Sequence, residues 1–143
     1  MLKEDDLKPI SNDGGEVYRL YNPHGGDHMY TTGAVEKGKL VEAGWTYEGV
    51  AFKAPRGGTR AVYRMYNPNA GDHMWTASYD EASALQAAGW RYECVPWFGN
   101  DKGTEVLRLY NPNEGDHFFT LEAAEKDALV EAGWIYEGVA FYV

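Results

Sequence analysis

The sequence predicts a mainly β fold with one short helix per repeat. Three ββαβ units of about 45 residues would close into one pseudo-threefold assembly. The first observation behind this is self-similarity. Val17-Tyr18-Arg19-Leu20-Tyr21-Asn22-Pro23 returns as Val62-Tyr63-Arg64-Met65-Tyr66-Asn67-Pro68 and again as Val106-Leu107-Arg108-Leu109-Tyr110-Asn111-Pro112. Gly-Asp-His follows in each copy, at residues 26, 71 and 115, and Ala-Gly-Trp-x-Tyr-Glu follows at residues 43, 88 and 132. The second observation is that each copy passes from strand-like to helix-like patterning and back. The third is physical: one such unit cannot bury its own apolar face, and three are too few for an open, capped solenoid. A β-trefoil has the matching repeat number. The helix departs from it, so a three-bladed, propeller-like ring is the alternative. The boundaries are a polar lead-in over 1–16 and one domain over 17–143, with units 17–61, 62–105 and 106–143.

Within a unit, Val17 to Tyr21 is β-prone and ends at Asn-Pro. Asn22 to Asp27 is turn chemistry: proline fixes one dihedral, glycine allows another, and aspartate is expected to cap backbone amides. His28 to Thr31 forms the second arm of a hairpin. A helical stretch follows, opened in the middle copy by the capping box Ser78-Tyr79-Asp80-Glu81. Leu85 then takes the buried face, and the helix closes on Gly89, as Gly44 and Gly133 close the others. Trp45-Thr46-Tyr47-Glu48 opens the last strand, which runs through Phe52.

The totals exclude several classes. The chain has 143 residues and a net charge of −9. Binding a phosphate backbone needs a basic face, so nucleic acid is not an expected partner, and neither is an anionic membrane surface. No stretch is apolar enough for membrane insertion. Leu2-Lys3-Glu4-Asp5-Asp6 is acidic and polar, unlike the start of a signal peptide. The single cysteine, Cys94, rules out an intrachain disulfide and reads as a small buried thiol. Phosphate-loop, activated-nucleophile and paired-carboxylate motifs are all missing, so an enzyme is not expected, and no cofactor is implied. Nor is a metal: Asp-His sends successive side chains to opposite faces of a strand, and no unit holds three or four ligands. Three histidines meeting on an axis would be the exception.

Polar residues shared by the copies are either scaffold or a site made three times. Arg19, Arg64 and Arg108 with Glu48, Glu93 and Glu137 read as one internal ion pair per unit. Trp45, Trp90 and Trp134, each straight after a glycine cap, read as core. The Asp-His hairpins are the candidate ligand-binding residues: Asp27, His28 and Tyr30; Asp72, His73 and Trp75; Asp116, His117 and Phe119. Residues i and i+2 of a strand share a face, so each histidine lies beside an aromatic ring. A carboxylate, an imidazole and a ring on one rim suit a sugar, with the ring covering its C–H face. The competing reading is an internal Asp–His hydrogen bond. Threefold repetition suits weak binding sites multiplied by avidity better than a catalytic centre.

The pattern Tyr-Arg-Leu-Tyr-Asn-Pro-x-x-Gly-Asp-His-x-Tyr-Thr … Ala-Gly-Trp-x-Tyr-Glu-Gly-Val-Ala-Phe resembles a family of tandem modules in exported microbial proteins. These are often appended to glycoside hydrolases, peptidases or cell-wall enzymes. The likeness covers Val17 to Val143. It implies an extracellular or cell-surface accessory role, with a glycan or surface polysaccharide as partner, and supplies no binding residues. The middle unit departs from it at Cys94, Pro96 and Trp97. The expectation is a non-catalytic, lectin-like module, monomeric within a larger protein, or else a protein–protein adhesion module on the same scaffold.

Overall fold

Turn chemistry decides where the strands stop. A computed structural model describes residues 14–143. Strand β1 (Gly15–Tyr21) turns into β2 (His28–Thr31), followed by helix α1 (Ala34–Glu42) and strand β3 (Thr46–Ala54). The order repeats in β4 (Arg60–Asn67), β5 (Asp72–Thr76), α2 (Tyr79–Ala87) and the start of β6 (Arg91–Asn111). It repeats again in the end of β6, then β7 (Asp116–Thr120), α3 (Ala123–Glu131) and β8 (Ile135–Tyr142). The fold is therefore mainly β, with one short helix in each third of the chain. Strand β1 starts at Gly15, so the last two residues of the expected lead-in belong to the fold; residues 1–13 of it lie outside the described residues.

All strand pairs are antiparallel. One sheet has the order β2-β1-β3, and the other runs β5-β4-β6-β7 with β8 also on β6. Among the described residues the strands do not close into a barrel. The boundary expected after residue 105 falls inside β6, which ends the second unit and begins the third without a break.

The hairpin loops are held by asparagine, not by the expected aspartate. Asn22 Oδ1 accepts from the His24 N–H at 3.0 Å, as Asn67 does from Asn69 and Asn111 from Asn113. That frees Asp27, Asp72 and Asp116 for another task. Each helix ends in a Schellman arrangement. Gly44 sits at φ 103°, and the Trp45 N–H donates to the Leu40 carbonyl at 3.0 Å. Trp90 to Leu85 and Trp134 to Leu129 repeat that bond, so the indole position is fixed by the helix end. Of the capping box only half forms. Ser78 Oγ accepts from the Glu81 N–H at 3.1 Å, while the Glu81 carboxylate turns away to Arg108.

The core is built from rings contributed by every third of the chain. Tyr30, Trp75 and Phe119 meet edge to face, with centroids 5.1, 5.3 and 5.5 Å apart. Phe52, Trp97 and Phe141 form a second such trio at 5.9, 5.8 and 5.8 Å. Edge-to-face contact is the favoured geometry for aromatic quadrupoles. A smaller cluster of Tyr63, Met65, Ala82 and Val95 lies in the middle unit. Val95 is fully buried, whereas its counterparts Val50 and Val139 are exposed. Pro96, which lacks an N–H, sits where the β4–β6 register shifts.

Candidate functional site

Three bulges aim three glutamates. Arg19 faces Gly49 and Leu20 faces Tyr47, which leaves Glu48 as the extra residue of β3. Glu93 and Glu137 are extra in the same way, between the partners of Arg64 and Met65 and of Arg108 and Leu109. A bulge re-aims its side chain, and here it turns each glutamate onto its arginine. The Arg19–Glu48, Arg64–Glu93 and Arg108–Glu137 pairs all measure 2.9 Å, as the sequence led us to expect.

The histidines extend each pair into a relay. His28 Nε2 lies 3.1 Å from Glu48 Oε1, and its Nδ1 lies 2.6 Å from Asp116 Oδ2. His73 joins Glu93 to Asp27, and His117 joins Glu137 to Asp72, with the same short Nδ1 contact. The aspartate's other oxygen accepts the same histidine's backbone N–H at 3.0 to 3.1 Å. The Asp–His bond is therefore real, but its partners come from different units. Asp27 serves His73, Asp72 serves His117, and Asp116 serves His28.

Burial alone would push these imidazoles down. The hydrogen bonds to the two flanking carboxylates outweigh it, and all three are raised from 6.5 to about 9. For Glu48 the His28 bond is the largest influence and holds the carboxyl below its usual range. Glu93 and Glu137 are pushed up by burial but drawn further down by their histidines. Burial raises Asp72 and Asp116 against the pull of their histidines. The thiol of Cys94 is likewise raised by burial, although the residue is only part-buried where the sequence led us to expect a buried thiol.

The residues expected to form the site are thus interior. Tyr30, Trp75 and Phe119 are at most 1% exposed and pack edge to face on one another, so no ring face is open to a sugar. The aspartates and histidines are buried as well, and they form the relays. Alternation along a strand shows which residues share a face. It does not say that this face points inward. Carboxylate oxygens of Asp27, Asp72 and Asp116 all lie within 4.8 Å of one another, so aspartates converge where histidines were the alternative.

An accessible cleft lies at the junction of the second and third units. It has a volume of about 250 Å³ and is lined among others by Trp90, Tyr110, Asn67, Arg108, Glu81 and Glu137. Trp90 and Tyr110 are only part-buried. Trp90, expected as core, does pack on the core but also presents its ring here. A larger cleft of about 450 Å³ beside Val35, Cys94 and Pro96 is mostly apolar and has no aromatic ring in its wall. The repeat of Ala-Gly-Trp was the available signal for Trp90. The glutamate from helix α2 that clamps Arg108 recurs at the same place in each unit, as Glu36, Glu81 and Glu125. Its partner was not legible, because Glu81 reaches across from another unit at 2.9 Å through both oxygens.

The units do not make identical junctions. Arg64 takes both oxygens of Glu36 and Arg108 takes both of Glu81. Arg19 instead lies over the Phe118 ring, 4.8 Å from its centroid. Phe118 stands where the other units carry Met29 and Met74 and also meets the rings of His28 and Trp134, so it fills that junction.

Fold and site together define a small antiparallel β module whose repeated hairpins are tied by buried charge relays. The chain belongs to a family described as a domain of unknown function, DUF5648, whose model matches residues 16–143. No curated protein and no solved structure matches the chain.

Proposed function

We propose that this domain is a non-catalytic carbohydrate-binding module, with its sugar site in the Trp90 cleft, and that its three units close into a three-bladed ring. The observation that carries the function is the combination in that cleft. A part-exposed indole lies beside Tyr110, Asn67 and a carboxylate whose position is locked by Arg108 and His117. An apolar ring face next to pre-positioned acceptors is what a pyranose needs, since its C–H face stacks while its hydroxyls donate. A non-catalytic role is supported by the histidines, which spend both ring nitrogens on carboxylates and keep none for proton transfer. Ring closure is supported by the order of the aspartate bonds, which pass from first unit to second, second to third, and third back to first. Attachment of an exported or surface protein to glycans follows from this reading together with the resemblance.

A second reading, protein–protein adhesion, is favoured by the exposed Tyr47 and Val50 of β3 and by Ile135, Tyr136 and Val139 of β8. A glycan-array screen of the chain beside a Trp90→Leu variant separates the two. The expected outcome is a hit on one sugar family that the variant loses while keeping the wild-type circular-dichroism spectrum. A hit that survives Trp90→Leu would put the sugar elsewhere. Silence from folded protein would overturn the sugar reading in favour of adhesion.

A further inference from the structure

Among the described residues, Glu137 is bonded through one oxygen only. Its Oε1 accepts from Arg108 Nε at 2.9 Å and faces His117 Nε2 at 3.0 Å, so both donors converge on the same atom. Among the described residues, Oε2 has no donor, and the side chain keeps 27% of its surface exposed in the cleft wall. The ionised groups around it do not cancel. Three carboxylates (Asp72, Glu81 and Glu137) face two cations, Arg108 and His117, the latter held between carboxylates on both sides. Arg108 is committed to Glu81 through both terminal nitrogens, so it is not free to receive an anion. Two aromatic rings, Trp90 and Tyr110, line the same space, and ring faces attract cations. The chain's charge of −9 adds to that preference.

From these we infer that the Trp90 cleft reads a single positive charge, and that its ligand class is an unacetylated amino sugar whose ammonium meets Glu137 Oε2 while its ring lies against Trp90. This rests on the sugar reading of the cleft and makes it specific. A carboxylate-bearing or sulfated sugar would meet the net negative charge and be excluded. A neutral sugar would leave the free carboxylate oxygen with hydroxyl donors alone.

The test is isothermal titration of the chain with glucosamine oligosaccharides and with their fully N-acetylated counterparts. An exposed ion pair with a cation–π contact is worth about tenfold in affinity, and that preference for the unacetylated series is expected. Glu137→Gln keeps an acceptor for Arg108 and His117 but removes the charge, so it should bring the two series to equal affinity. The wild-type comparison decides by itself, whatever the folding of that variant. Equal or tighter binding of the acetylated series, lost in Trp90→Leu, would overturn the charge reading and leave the sugar reading standing. Binding of neither series, nor of any other glycan, would overturn both.

Discussion

His73 shows how far a single side chain can be committed. Its two ring nitrogens lie 2.6 Å from Asp27 and 3.1 Å from Glu93, in surroundings that leave Asp27 almost no solvent. Removing one partner from such a network strands a buried charge, a far larger loss than the net worth of the pair. His73→Ala is therefore expected to lower stability by about 3–5 kcal/mol in urea unfolding at neutral pH. His24→Ala, in an exposed loop, should change it by no more than about 0.5 kcal/mol. Equal stability of the two variants would show that the relay holds nothing together. The histidines recur in the sequence at one fixed place per unit, which marks them as important. An internal Asp–His bond was one of the two readings the sequence offered. Which aspartate serves which histidine was not legible, because that partner lies at least 45 residues away in another unit.

At the scale of elements, helix ends and bulges carry the specificity. Helices α1 and α3 have no side-chain hydrogen bond at their N-caps, whereas α2 has Ser78. Ser78→Ala should cost about 1 kcal/mol, read as a fall in the thermal midpoint. A change below about 0.3 kcal/mol would mean that the Glu81–Arg108 clamp alone sets the start of the helix. These features were largely readable in advance. Ser78, Gly89 and the Asn-Pro turns act through neighbours within five residues, so local sequence contains both partners. The bulge at Glu48 was not readable, since an extra residue in a strand is defined only against the strand it pairs with.

The relays also tie the behaviour of the whole molecule to pH. The three histidines are raised from 6.5 to about 9, so their contribution is complete below pH 6.5 and is lost as pH rises through about 9. Glu36, Glu48, Glu81, Glu93 and Glu137 are lowered from 4.5, so theirs is complete above that pH and is lost on acidification. Asp72 and Asp116, raised by burial, act in the opposite sense and soften the acid limb. The thermal midpoint should therefore peak between about pH 5 and 6.5 and decline steadily toward pH 9. A midpoint that stays flat from pH 6.5 to 9 would mean the histidines are neutral in the folded protein.

The sequence by itself determined the repeat, the order of strands and helix within it, the turn and cap positions, and the Arg–Glu pair of each unit. All of these are set by residues close in the chain or by period, which sequence records directly. Tertiary structure decided three things that period cannot encode. It turned the Tyr30, Trp75 and Phe119 face inward, because only packing against the other units determines which side of a hairpin is the core. It sent each aspartate to the next histidine in the ring of contacts rather than to its neighbour in the chain. It also opened a cleft at Trp90 and filled the junction at Arg19, because a methionine in one unit is a phenylalanine in another and side-chain volume acts only between surfaces that already meet.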